Sequence, residues 1–251
     1  MNKVAQHTWL AGFHAVASAL DHDPGNVAEV LVAREARNRR VRELADKARA
    51  LGVAVHHRPA SALDPLTPGR RHQGIAARYL PPPALDDEGL LAKVRAAGAG
   101  GLVLVLDEVQ DPGNFGACLR SAAAAGATAV VTPKHRSAPL TPLARKAASG
   151  AAEWLPRAEV TNLRRCLDEL KQAGLWLVGA TADAAEPIWD VDLSGPVGIV
   201  LGGEEKGLRR LTRESCDLLA CIPMVAESES LNVSVACGIC LFEARRQRAT
   251  T

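Results

Sequence analysis

Near-continuous apolar runs alternate along most of this chain with segments whose apolar positions recur every three or four residues. The runs are GLVLVLDEV at 101–109, TAVVTP at 128–133, LWLVGAT at 175–181, PVGIVLG at 196–202 and one ending in Ile222-Pro223-Met224, where Pro223 interrupts it. An unbroken apolar run is expected of a parallel strand covered on both faces. Between these runs, ACLRSAAAAG (117–126), PLTPLARKAASGAAE (139–153), TNLRRCLDELKQAG (161–174) and GLRRLTRESC (207–216) read as helices. Gly126 ends the first, Pro142 is tolerable only in a first turn, and Thr161 or Asn162 caps the third. A last helix, rich in small residues, opens at Ser230-Leu231-Asn232 and puts Val233, Ala236, Cys237 and Cys240 on one face. This alternation builds a mostly parallel sheet with helices on both faces.

The first 80 residues follow a shorter rhythm. Residues 9–21 read as a helix, VAEVLVA (27–33) as a strand, and NRRVRELADKARALG (38–52) as a helix with Val41, Leu44, Ala45, Ala48 and Leu51 on one face. VAVHHRP (53–59) is a second strand, SALDPL a short helical turn and HQGIAARYL (72–80) a third strand, making a small α/β sandwich. Pro81-Pro82-Pro83 followed by ALDDEG is the stiffest polar break in the chain. The expected organisation is therefore a domain over 1–80, a linker over 81–97 and a larger domain over 98–251.

Composition changes this picture in two places. Net charge is only +2, but residues 1–80 hold 12 Lys/Arg against 7 Asp/Glu, whereas the remainder carries a net −3. Arg34, Arg37, Arg39, Arg40 and Arg42 form one cluster, and Arg70, Arg71 and His72 another. A basic module beside a mildly acidic one suggests a polyanion-gripping attachment, and an Arg-rich loop entering a helix suits phosphates. The six cysteines are scattered at apolar or helical positions, so Cys237-Gly-Ile-Cys240 reads as core rather than as a redox or zinc motif. No metal-ligand spacing, membrane-length apolar run or secretory leader is evident, and a cytoplasmic protein without metal is expected.

Three polar, glycine-containing loops follow apolar strands, where α/β proteins place ligands. The first, DEVQDPGNFGACLR (107–120), has a Pro112-Gly113 turn, a Gly116 that permits close backbone approach, and Arg120 about one turn into the next helix. The second, LGGEEKGL (201–208), is neither a dinucleotide fingerprint nor a phosphate-binding P-loop. The third lies in the stretch Leu219–Phe242, where a short polar loop joins Ile222-Pro223-Met224 to Ser230-Leu231-Asn232, and Ser230 lacks the G-x-S-x-G elbow of a serine hydrolase. Each loop alone also reads as an ordinary turn. Together they bring Asn114, Arg120, Glu204, Ser230 and Asn232 to the carboxyl ends of strands.

In that order and spacing, DEVQDPGNFGACLRSA, IVLGGEEKGL and IPM…SLNVSVACGICLFEA resemble the three motifs of the SpoU/TrmH family of RNA ribose 2′-O-methyltransferases. GFHAV, AREARNRR and GRRHQGIAAR resemble the family's substrate-binding domain, itself similar to ribosomal protein L30e. The resemblance implies an α/β trefoil knot in the C-terminal domain, S-adenosylmethionine as cofactor, a homodimer, and ribosomal RNA as partner, with a guanosine of 23S rRNA as target. A tRNA target, or a non-catalytic RNA-binding protein on the same scaffold, are the alternatives. By motif, Asn114, Arg120, Glu204, Ser230 and Asn232 fall at catalytic positions, and Gly202, Ile222, Met224 and Leu231 at cofactor-binding ones. The family usually has Gly and Val where this chain has Ala226 and Ser228; a Cβ at 226 is expected to weaken cofactor binding.

Overall fold

The computed structural model describes residues 7–69, 71–225 and 230–249, and the chain divides into two compact units. The first comprises Met1–Pro83 together with Ser149–Trp154. Its elements are β1 (Thr8–Ala11), α1 (Phe13–His22), β2 (Val27–Ala33), α2 (Arg39–Ala50), β3 (Ala54–Arg58) and β4 (Ile75–Tyr79). They form a four-stranded sheet in the order β1-β4-β2-β3, with β4 antiparallel to both neighbours and β3 parallel to β2. Val16, Leu20, Val30, Val41, Ala48 and Ile75 fill the core between helices and sheet. Asn38 caps α2 by accepting from the Arg40 N–H.

Two expectations are corrected in this unit. Residues 9–11 are not helical: Trp9 and Leu10 pair with Arg78 and Ala77 on β4, and Gly12 at φ 88° turns the chain before α1 begins. The third strand starts at Ile75, because Gln73 and Gly74 both have positive φ and hold 72–74 in a loop. The SALDPL segment is a pair of 3₁₀ turns, Ala60–Ala62 and Asp64–Leu66.

The second unit comprises Ala84–Ala148 and Leu155–Thr251. In chain order it holds α3 (Asp87–Ala97), β5 (Leu102–Asp107), α4 (Pro112–Ala125), β6 (Ala129–Pro133), α5 (Pro142–Ala148), β7 (Arg157–Val160), α6 (Leu163–Gln172) and β8 (Trp176–Ala180). It continues with β9 (Glu186–Pro187), β10 (Val197–Gly202), α7 (Arg210–Ser215), β11 (Leu218–Cys221) and α8 (Val233–Ala249). The seven strands lie in the order β7-β6-β5-β10-β8-β11-β9, and every pairing is parallel. β5 is buried along its length and β10 up to Leu201, as their unbroken apolar runs require.

Leu90 and Val94 of α3 and Leu163, Leu167 and Leu170 of α6 pack with Val103, Val105 and Val200 from the sheet. Part of the stretch read as a linker is thus a helix, capped by the Asp86 carboxylate on the Gly89 N–H, whose apolar stripe joins this core. β7 and β9 have no counterpart in the apolar pattern. β7 alternates buried Ala158 and Val160 with Arg157 and Glu159, and β9 is two residues long, so both depend on a neighbouring strand. α4 packs against α5 and α8, and α8 against β10. Among the described residues no helix is long and apolar enough to cross a membrane.

Candidate active site

β5, β10, β8 and β11 are consecutive in the parallel sheet, so the chain leaves all four at the same end. A cavity of about 540 Å³ opens there. Its walls are Ala180–Ala182 at the end of β8, Leu201–Glu205 and Gly207 at the end of β10, Ile222 and Met224 beyond β11, and Ser230–Val233 with Ala236 at the head of α8. Ligand sites favour this position because loops from adjacent strands converge on it.

Close packing of glycines shapes the second loop. A Cβ on Gly202 would lie 1.9 Å from the Gly207 carbonyl carbon, and one on Gly203 would lie 2.5 Å from the Glu108 carbonyl oxygen. The loop therefore turns back on itself, with the Gly207 N–H donating to the Gly203 carbonyl at 3.0 Å, and lies against the first loop. Asp107, fully buried at the end of β5, accepts from the Arg209 backbone N–H at 3.1 Å and from its Nε at 2.7 Å. Arg209 also reaches Glu108 Oε1 at 3.0 Å. This charge cluster ties the start of α7 to the first loop.

The first loop differs from its sequence reading. Pro112 and Gly113 are not an isolated turn: Asp111 caps the helix on the Asn114 N–H at 2.7 Å, and α4 begins at Pro112. A proline at the first helical position loses no hydrogen bond and arrives with a helical φ. Arg120 consequently lies two turns into α4, about 12 Å along its axis, rather than one. Gly116 makes its close approach to α5, where a Cβ would meet the Ala144 carbonyl oxygen at 2.2 Å.

A hydrogen-bonded chain links the three loops. Asn114 Nδ2 donates to Glu204 Oε1 at 2.8 Å, and Asn232 Nδ2 donates to Asn114 Oδ1 at 3.0 Å. Asn232 Oδ1 accepts from the Ser234 N–H at 2.9 Å and hydroxyl at 2.6 Å, while Glu204 Oε2 stands 3.5 Å from the Gln110 N–H. Both ends impose direction, since a backbone N–H can only donate and a carboxylate can only accept. The amide of Asn114 is thereby held with its oxygen toward Asn232 and its nitrogen toward Glu204.

Of the nine candidate residues, Gly202, Glu204, Ile222, Met224, Ser230, Leu231 and Asn232 line the cavity. Asn114 joins them through its hydrogen bonds, and Arg120 is exposed outside the cavity lining. Ala226 and Ser228 lie outside the described residues. Cys237 and Cys240 are fully buried in α8. Burial pushes the Cys240 thiol up to about 12; a hydrogen bond to Cys118 and then burial raise Cys237 as well. Neither is a thiolate at neutral pH, and among the described residues no His/Cys/Asp/Glu group could hold a metal ion.

In the first unit, β2 and β3 end, and β4 begins, at the same end of the sheet, where β1 turns into α1. Exposed Arg34, Arg37, Arg40, Arg58 and Arg71 gather on the segments leaving or entering there. None has a carboxylate partner among the described residues. The nearby Glu35 accepts from the Ala60 N–H at 3.1 Å, and Asp64 lies 3.2 Å from His72.

Residues 101–242 match the model of the SpoU rRNA methylase family, and residues 9–84 match the RNA 2′-O ribose methyltransferase substrate-binding model. The chain belongs to the SpoU rRNA methylase family. It is 51% identical to the 23S rRNA (guanosine-2′-O-)-methyltransferase RlmB of Xanthomonas axonopodis pv. citri (strain 306), over 97% of this chain and 98% of the relative. Identity to the RlmB of Xylella fastidiosa (strain 9a5c) is 50%, over 99% of each. Among solved structures, the SpoU methyltransferase AviRb from Streptomyces viridochromogenes superposes with a TM-score of 0.78 at 25% identity, covering 98% of this chain and 91% of that one. The AdoMet-bound rRNA methyltransferase from Sinorhizobium meliloti gives 0.75 at 26% identity, covering 96% and 87%.

Within the SpoU fold, the sequence reading did not name Thr181, Glu205, Val233 or Ala236 as cavity-lining, nor Gln110 and Ser234 as ends of the hydrogen-bonded chain. Thr181 carried a usable signal, since it ends an unbroken apolar run that precedes no recognised motif. The Asp107–Arg209 pair had none, because 102 residues separate its members.

Proposed function

We propose that this protein transfers a methyl group from S-adenosylmethionine to the ribose 2′-oxygen of a guanosine in 23S ribosomal RNA. The observation that carries this reading is the meeting of the three loops. Asn114, Glu204 and Asn232 are hydrogen-bonded in series beside the cavity that Gly202, Ile222, Met224, Ser230 and Leu231 line. Relatives of about half identity over nearly the whole chain supply the nucleotide and the RNA.

The residues present fit the cofactor. About 540 Å³ is within the ~300–1,000 Å³ of small-molecule sites. Leu201, Ile222, Leu231, Val233 and Ala236 offer apolar surface suited to a purine, and the Glu204 and Glu205 carboxylates favour a cation. When bound, S-adenosylmethionine supplies a methyl group on a positively charged sulfur. The protein's own part is alignment and proton management at a weakly acidic hydroxyl. Asn114, fixed from both sides, orients the ribose, and Glu204 and Asn232 keep it fixed. The Arg120 guanidinium has donors and no acceptor, so it acts on the RNA phosphate as a positioning charge rather than as a base. Ser230 lines the cavity beside Glu204 and Asn232.

The same reading assigns residues 1–80 to RNA binding, supported by the unpaired arginines at one end of the first sheet. It assigns the C-terminal domain a trefoil knot. Supporting this, Gln247 accepts from the Leu193 N–H at 2.7 Å, and Arg248 donates to the carbonyls of Gly101 and Leu193, so the last turns of α8 lie between segment 191–195 and the start of β5. A homodimer is supported by α8, where Val235 and Phe242 are about half exposed two turns apart on one face. A cytoplasmic location follows from an rRNA substrate.

The test is transfer of a labelled methyl group to 23S rRNA lacking the modification, beside tRNA, with calorimetric titration of the cofactor. Transfer to the 23S guanosine is expected. Transfer to tRNA alone would move the substrate, and absence of cofactor binding would favour a non-catalytic RNA-binding protein.

A further inference from the structure

The basic end of the first unit contains one group that charge alone does not explain. The Arg40 guanidinium lies over the Phe13 ring, 4.4 Å from its centroid. Arg40 is exposed, and its neighbours on α2 are engaged elsewhere: Arg39 with Glu43 at 2.7 Å, and Arg42 with the Arg37 carbonyl at 3.3 Å. Its backbone is fixed as well, because its N–H donates to the capping Asn38 side chain at 2.9 Å.

Phe13 is held with equal care. Its N–H donates to Gln73 Oε1 at 3.1 Å, and Gln73 adopts the left-handed φ of 53°. A residue that carries a Cβ seldom takes that conformation unless the surrounding structure holds it there. Gly12 precedes Phe13 at φ 88°, and the His14 ring meets Phe13 edge-on at 5.5 Å. The loop bearing Arg71 and His72 is thereby pinned to the start of α1, and the Phe13 ring is set as a flat support under the guanidinium.

We infer that Arg40 on Phe13 is a preformed stacking platform for an unpaired RNA base. A guanidinium plane stacks on a base as readily as an aromatic ring does, and single-stranded or looped RNA presents its bases for such contact. Ordering a flexible arginine normally costs side-chain entropy on binding, and the ring beneath it removes much of that cost in advance. The surrounding unpaired arginines attract the phosphates on either side, while the platform selects unpaired over paired RNA. The inference rests on the proposed RNA methyltransferase reading and names how the substrate-binding unit recognises its RNA.

The test compares wild type, Arg40→Lys and Phe13→Leu. Each is titrated with a hairpin carrying a large unpaired loop and with a blunt duplex of the same stem, over a range of salt concentrations. Lysine keeps the charge but loses the plane. The expected result for Arg40→Lys is an affinity for the looped hairpin lower by about tenfold, as for loss of one stacked base, an unchanged salt slope and an unaltered duplex affinity. Phe13→Leu should show a smaller loss of the same kind, with thermal unfolding checking that the unit remains folded. Hairpin binding by Arg40→Lys equal to wild type would overturn the platform, as would equal wild-type affinity for hairpin and duplex. If wild type fails to methylate 23S rRNA at all, the functional reading fails instead. The two failures are thus separate.

Discussion

Substituting Gly202→Ala tests the architecture of the site more sharply than removing any of its polar groups. Gly202 is the last residue of β10, paired with Asp107 on β5, and β10 lies between β5 and β8. Its backbone cannot shift without disturbing the ladder to β5. The added Cβ would lie 1.9 Å from the Gly207 carbonyl carbon and 2.2 Å from the Leu208 nitrogen, both main-chain atoms. The only part able to yield is the 203–207 loop, which forms a wall of the cavity and carries Glu204. Overpacking of this kind costs about 1–3 kcal/mol, and this contact belongs at the upper end because no side chain can rotate away. Gly207→Ala is the control. Its φ of 61° makes alanine unfavourable, by about 1–2 kcal/mol, but nothing lies within 4 Å of the new Cβ. Urea unfolding should rank Gly202→Ala below Gly207→Ala. Cofactor titration should show a loss of roughly tenfold or more for the first, ~1.4 kcal/mol per decade, and a smaller one for the second. Wild-type stability and cofactor affinity in Gly202→Ala would refute the reasoning.

Asn114→Ala and Arg120→Ala should abolish methyl transfer in a folded protein, read by single-turnover assay beside circular dichroism; near-normal turnover of either removes its assignment. Arg209→Ala leaves the fully buried Asp107 carboxylate without its side-chain partner. A destabilisation of about 3 kcal/mol is expected in denaturant unfolding, and less than 1 kcal/mol would show that water replaces the guanidinium. Thiol labelling of the native protein at pH 8 should spare the buried Cys118, Cys166, Cys237 and Cys240 until unfolding. Burial raises Cys166 and Cys240 to about 12, so both stay protonated as pH rises through 8, and fast labelling of either would contradict this packing. Val235→Glu with Phe242→Glu should convert the proposed dimer to monomer in sedimentation, and an unchanged mass would place the interface elsewhere.

Much of this protein is determined locally. Short unbroken apolar runs bounded by Gly, Pro and polar turns suit buried strands, so β5, β6, β8 and β10 were legible from the sequence, as was α2 from its apolar stripe. The three motif loops were legible too, because a parallel sheet sends every strand's exit to one end. Short segments whose conformation depends on a distant partner were not. Trp9 and Leu10 are extended because β4 pairs with them, and β7 and β9 exist as edges to β6 and β11. Local pattern was also silent on where α4 begins, since Pro112-Gly113 suits a turn and a capped helix start equally; Asp111 decides it and moves Arg120 a turn further in. The serial bonding of Asn232, Asn114 and Glu204 joins residues 118 and 90 positions apart. The motifs could place those side chains at one end of a sheet, but only strand order brings β5 beside β10 and the head of α8 over both loops, and hydrogen bonds form only at that distance.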